Sequence, residues 1–400
     1  MSTKYPAGVI KSSPVVPAGA YQYSSASGIW TMEQAGYWIK QGNWPTAGNV
    51  NNKLYSWGIN SSGQLGIGNT TDYSSPKQVG ALTTWLNIAG GQAHTLATKA
   101  NGTLWAWGSN GYGQLGLGNT TYYSSPKQVG ALTNWSKIVC GFYNTLATKT
   151  DGTLWSWGYN AQGQLGLGDI TNRSSPVQVG ALTTWLNIAG GVYNTLATKT
   201  DGTLWSWGQN TDGQLGLGNT TSYSSPKQVG ALTTWSKIEG GLNHTLATKT
   251  DGTLWSWGNN FYGQLGLGNT TNYSSPKQVG ALTNWLNVAG GAYHTLATKT
   301  DGTLWSWGWN LRGQLGLGNI TDYSSPKQVG ALTNWSKIAG GQHYTLATKT
   351  DGTLWSWGYN FYGQLGLGDI TNRSSPVQVG ALTTWSNITC GTQITIAILS

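Results

Sequence analysis

The stretch Thr195-Leu-Ala-Thr-Lys-Thr-Asp-Gly-Thr-Leu-Trp-Ser-Trp-Gly208 decides the architecture. Two short runs rich in β-branched and aromatic residues flank Asp201-Gly202, a two-residue hairpin signal. The second run recurs along the chain. Leu54-Tyr-Ser-Trp-Gly58 becomes Leu104-Trp-Ala-Trp-Gly108, and Leu-Trp-Ser-Trp-Gly then starts at 154, 204, 254, 304 and 354. The period is 50 residues with no insertion. Each unit predicts two further strands, around Ser225-Pro-Lys-Gln-Val229 and Trp235-Ser-Lys-Ile238, with Pro226 suited to a sheet edge.

Four-stranded units at this period predict an all-β, seven-bladed β-propeller over residues 54–400. The last predicted strand, Thr395-Ile-Ala-Ile-Leu399, stops where the hairpin turn should come, and the first repeat starts with the strand that should follow that turn. Pairing of these first and last strands in one blade would close the ring. The composition agrees: 60 glycines in 400 residues suit turns, since glycine weakens helix interiors.

The repeated string Asp-Gly-Thr-Leu-Trp-Ser-Trp-Gly-x-Asn-x-x-Gly-Gln-Leu-Gly-Leu-Gly, followed by Ser-Pro and later by Gly-Gly-x-x-His-Thr-Leu-Ala, resembles the regulator of chromosome condensation repeat. The resemblance implies a seven-bladed propeller. Members that exchange nucleotide on a small GTPase carry loop insertions and a basic tail, whereas this ring has no insertions. In the plant ultraviolet-B photoreceptor relative, Trp and Arg precede the His-Thr of the loops. Here those slots hold Leu242-Asn243, Ala292-Tyr293 and Gln342-His343.

Because the copies are nearly identical, their differences are informative. One variable cluster precedes Gly-Gln-Leu-Gly and another follows the Gly-Gly pair. In an antiparallel meander with strands A (Trp-x-x-Ile), B (Thr-Leu-Ala-Thr), C (Leu-Trp-Ser-Trp) and D (Ser-Pro-x-Gln-Val), both clusters fall at one end of the ring, in the A–B and C–D connections. The near-constant Asp-Gly hairpins fall at the other end. The varied set is rich in Tyr, Phe, Trp, His and Arg, a mixture typical of binding loops. Pairing each blade's two loops selects three adjacent blades as ligand-binding. They contribute His244, Phe261 and Tyr262; then Tyr293, His294, Trp309 and Arg312; then His343, Tyr344, Tyr359, Phe361 and Tyr362.

Catalytic chemistry is not legible. No nucleophile–base–orienter set stands out, and the Gly-Gln-Leu-Gly-Leu-Gly run opens no helix, so it does not read as a phosphate loop. We expect no enzyme activity, no cofactor and no metal, with the four histidines spread around the ring. Cys140 and Cys390 share a repeat position with one blade between them and predict no disulfide. The net charge of +9 arises partly from a shortage of acids, and the lysines recur singly, so a nucleic-acid site is not expected. No apolar run is long enough for membrane insertion, and self-association is left open.

Residues 1–53 read as an arm. Pro6, Pro14 and Pro17 favour an extended start, with no secretory signal. A short helix is expected after the capping box Thr31/Gln34, stopped by Gly42 and Pro45. The string Gly28-Ile-Trp-Thr, Tyr37-Trp-Ile-Lys-Gln41 and Trp44-Pro45 resembles the start of many phage structural proteins, notably of marine phages, where it precedes unrelated display domains. That resemblance implies anchoring to other virion proteins through Trp30, Tyr37, Trp38 and Trp44. The expected function is a virion-located, tail-fibre- or adhesin-like protein whose variable face binds a host-surface glycan or protein. The alternatives are a capsid decoration or other structural virion part, and a cellular regulator of a small GTPase.

Overall fold

The computed structural model describes residues 52–400. These residues form strands β1 (Lys53–Gly58) to β28 (Ile394–Leu399), arranged as seven four-stranded sheets and no helix. The expected helix and Trp30, Tyr37, Trp38 and Trp44 lie outside the described residues.

One blade shows how the repeat folds. Strands β11 (Trp185–Gly190), β12 (Asn194–Lys199), β13 (Leu204–Gly208) and β14 (Tyr223–Gln228) pair in order as an antiparallel meander. These are A to D from the channel outward, and D, with its proline, is the edge. Counting whole meanders from Trp85 numbers this blade as the third. The seventh contains β27 (Trp385–Cys390), β28, β1 and β2 (Tyr73–Gln78), in the sheet order β2-β1-β28-β27. Six register pairs from Lys53↔Leu399 to Gly58↔Ile394 join the two ends of the ring. Closure thus removes open ends that a solenoid would have to cap.

Neighbouring blades meet through one repeated contact. The buried Trp207 indole donates Nε1–H to the Gln164 carbonyl at 3.0 Å, and Thr195 Oγ1 donates to the same oxygen at 2.8 Å. At the closing junction, Trp57 and Thr395 make the same bonds to the Gln364 carbonyl. This contact explains a glycine in the Gly-Gln-Leu-Gly run. Gly166 sits at φ +72°, and an added Cβ would lie 2.6 Å from Trp207 Nε1. The glycines of this run therefore serve the turn and the close approach of an indole.

At the hairpin end, Asp201 Oδ1 accepts from the Thr203 amide at 3.0 Å and from Thr203 Oγ1 at 2.6 Å. Trp205 Nε1 donates to that hydroxyl, while the Lys199 ammonium lies 3.6 Å from the Trp205 ring centroid and 5.0 Å from that of Trp185. Most of the tryptophan is therefore architecture.

Candidate functional site

The variable face rests on a backbone fixed by constant residues. In the C–D loop of the fourth blade, buried Asn260 accepts from the Leu265 amide through Oδ1 and donates to the Asn269 carbonyl through Nδ2. Gln264 Oε1 accepts from the Tyr262 amide at 2.9 Å. Asn259 joins the brace by accepting from Gln264 Nε2 at 2.7 Å, and the side chains at 261 and 262 are left to project from the loop. A C–D loop also touches its own blade's A–B loop, as in the 2.9 Å bond from the Trp309 amide to the Tyr293 carbonyl. The two variable clusters accordingly share one end of the ring.

Most of the expected residues come together there. Tyr262 stands edge-on to Phe261 (4.9 Å between centroids) and Tyr293 (5.3 Å), and 5.9 Å from Trp309. Trp309 meets His343 at 4.7 Å, and His343 meets Tyr359 at 6.4 Å. Tyr359 stacks on Phe361, which is edge-on to Tyr362. The Arg312 guanidinium lies 5.3 Å over Tyr359. Phe261 is 70% exposed and Phe361 59%. The contacts run between blades as well as within them, so grouping loops by blade alone is too narrow.

Three expected ligand residues are not on the surface. His244, His294 and Tyr344 are buried, at 1%, 0% and 0% exposure. Thr295 gives its hydroxyl proton to the Gln264 carbonyl and therefore accepts from His244 Nε2–H at 3.1 Å. His294 bonds Thr345 in the same way, also at 3.1 Å. Tyr344 donates to the Ile394 carbonyl. These side chains latch one blade to the next. With Nε2 carrying the proton, Nδ1 is the neutral ring's other nitrogen, buried without a partner in His94, His244 and His294. Burial lowers His94 and His294 to about 3 and His244 to about 4. His343 lies half-buried in the arc, its Nδ1 also buried without a partner; burial, and then the nearby Arg312, lower it to about 4.

Sequence reasoning missed a second aromatic group. Tyr112 meets Tyr143 at 5.2 Å and Tyr159 at 4.8 Å, and Tyr159 lies 5.9 Å from Tyr193. Phe142 is edge-on to Tyr143. The signal was available: the C–D loop of one blade meets the A–B loop of the next. The same rule finds Asp212 of the third blade, which accepts from Asn243 (3.1 Å), Asn259 (3.2 Å) and Asn272 (3.3 Å) of the fourth.

The A strands enclose a central channel of about 310 Å³. Glu239 is the one carboxylate among its lining residues. Its side chain is open to solvent within the channel, and the strands crowded around it push the group up to about 7, with Lys237 pulling the other way. Cys140 and Cys390 also line the channel as free thiols, both raised by burial, Cys390 to about 12. Among the described residues no group of three or more His, Cys, Asp or Glu could hold a metal ion. No helix there is long and apolar enough to cross a membrane.

A closed propeller with one braced, diversified face belongs to the class of repeat-built scaffolds. The chain belongs to the regulator of chromosome condensation (RCC1) repeat family: the repeat matches seven times, over 51–98, 101–148, 151–198, 201–248, 251–298, 301–348 and 351–398. Among solved structures, Prp20p from Saccharomyces cerevisiae, described with its binding to Gsp1p and histones, is similar (TM-score 0.78, 22% identity, 87% of this chain and 91% of that one). Human WBSCR16 is similar too (TM-score 0.78, 23% identity, 87% and 99%). Yeast RCC1 (Prp20) bound to Kap60 has a TM-score of 0.77 at 22% identity (87% and 89%). At such identities the likeness is one of fold. No curated protein matches the chain.

Proposed function

We propose that this chain is a non-catalytic recognition protein whose variable face holds a macromolecular ligand. The observation that carries the reading is the contiguous arc from Phe261 through Trp309 to Tyr362, half-buried to exposed on loops whose backbones are held by constant Asn and Gln side chains. Rigid aromatics and an arginine in such a setting are what binding hot spots are made of. In the virion reading, residues 1–53 anchor the protein to a phage particle and the propeller, residues 54–400, meets a host-surface ligand. This rests on the string at residues 28–45. The test applies the full chain and its Tyr262→Ala/Trp309→Ala/Tyr362→Ala variant to bacterial envelope fractions. Undiminished retention of the variant would sink the reading. Deleting residues 1–53 should abolish incorporation into particles.

A second reading, a regulator of a small GTPase, is the one that family membership and the fold shared with Prp20p support. It predicts faster release of a fluorescent guanine nucleotide from a loaded small GTPase in the presence of the full chain. No acceleration at saturating protein would remove it.

A further inference from the structure

We propose that the arc between the third and fifth blades is a saccharide site, taking a hydroxyl-rich sugar unit at Asp212 and an acidic one at Arg312. The inference rests on the recognition reading and names its ligand class.

Asp212 is the only acidic side chain in the two variable clusters, and Arg312 the only Arg or Lys. Asn243, Asn259 and Asn272 hold the Asp212 carboxylate in place with three N–H donors. A carboxylate has about four acceptor sites, so one remains. The Asn243 Oδ1 beside it has no partner among the described residues. The free carboxylate site and this amide oxygen are both acceptors joined through one hydrogen bond, and the O–H groups of a diol are donors of the matching kind. A cationic partner could also donate there, but the chain carries +9 and the arc its own guanidinium, both of which repel cations.

Asn259, which donates to Asp212, starts the loop that carries Phe261 and Tyr262. Tyr262 and Trp309 are inclined at 49°, and Phe261 and Tyr262 at 83°. Their faces thus open in different directions, in place of one apolar slab. Such faces suit the C–H faces of successive small polar rings, whose partial positive charge meets the negative face of an aromatic ring. Farther along, the Arg312 guanidinium has no hydrogen-bond partner among the described residues and makes no ion pair. A planar, donor-only fork left open matches a carboxylate.

The test is calorimetric titration of the full chain with a hexuronate oligosaccharide, its carboxyl-reduced counterpart, and oligo-aspartate. Saturable binding of the hexuronate, roughly tenfold tighter than its reduced form and absent for oligo-aspartate, is expected. Arg312→Gln should erase the tenfold preference while leaving the neutral sugar's affinity. Asp212→Ala and Phe261→Ala should weaken both sugars by about tenfold or more, Phe261→Ala at unchanged melting temperature. Asp251→Asn, at the hairpin end, should change nothing. Equal binding of oligo-aspartate, no binding of either sugar, or wild-type affinity in Phe261→Ala overturns the proposal. If either sugar fails in this way while envelope retention still depends on the arc, the saccharide assignment falls and the recognition reading stands. If retention also ignores the arc, both fall.

Discussion

The two ends of the ring are made by the same strands yet obey opposite rules. At the hairpin end, Asp201, Thr203, Trp205 and Lys199 form one network in which each side chain holds another. At the loop end, the constant network consists of Asn210, Gln214 and the backbone, while the Asp212 carboxylate bonds outward to the next blade. Variation is cheap where constant side chains brace the backbone, and costly where the side chains are the brace. A diversified face therefore needs no loss of scaffold stability.

Substitutions at the two kinds of position should separate widely. Trp207→Ala removes a buried indole and its bond to Gln164, and should cost about 3–5 kcal/mol in denaturant unfolding. Phe261→Ala should stay within about 0.5 kcal/mol. Equal losses would break the contrast. Next in size is a pair of glycines. Gly166→Ala forces a methyl group into the Trp207 indole, whereas Gly180, at φ +62°, has nothing within 4 Å. Gly180→Ala should cost about 1–2 kcal/mol for the backbone alone, and Gly166→Ala clearly more, read from the same unfolding midpoints.

Most of the fold was legible because the repeat exposes its own rules. The period, the Asp-Gly turns and the closing strand are local signals, and seven copies remove ambiguity about register. The site was legible only in part. His244, His294 and Tyr344 occupy a variable slot, yet their side chains turn into the blade interface, where a threonine of the next blade waits. Sequence separations of 51 residues between those partners carry no local signal. Asp212 was overlooked for the same reason: its partners belong to the next repeat.

The buried latches also predict a pH response. The folded histidines titrate near 3 or 4, below the value near 6.5 of an unfolded chain. The unfolded state therefore takes up protons first as pH falls below 6.5, and stability is lost from there down towards pH 3–4. Each histidine should contribute a slope of roughly 1.4 kcal/mol per pH unit. Glu239 acts oppositely, because its raised value makes the folded state bind the proton first between about 7 and 4.5. The measurement is unfolding between pH 7 and 4.5 in a Glu239→Ala background, alanine being what four other repeats carry at this slot. His244→Asn, the residue already present at Asn144 and Asn194, should flatten the slope by one histidine's share. An unchanged slope would show that the latch is not buried as a neutral ring.

The smallest expected effect tests whether the hairpin network needs charge. Asp251 binds Thr253 as Asp201 binds Thr203, and these hydrogen bonds hold its carboxyl below the usual range. The group is fully exposed, so its ionisation is cushioned by water. The first repeat makes the turn with Asn101, whose Oδ1 accepts from the Thr103 amide at 3.2 Å and from Thr103 Oγ1 at 2.7 Å. Asp251→Asn should therefore shift the unfolding midpoint hardly at all, whereas Thr253→Ala, which removes the hydroxyl that bridges Asp251 and Trp255, should cost about 1 kcal/mol. If the two substitutions proved equally damaging, the hairpin end would depend on charge, and its constancy would need an explanation other than a shared hydrogen-bond pattern.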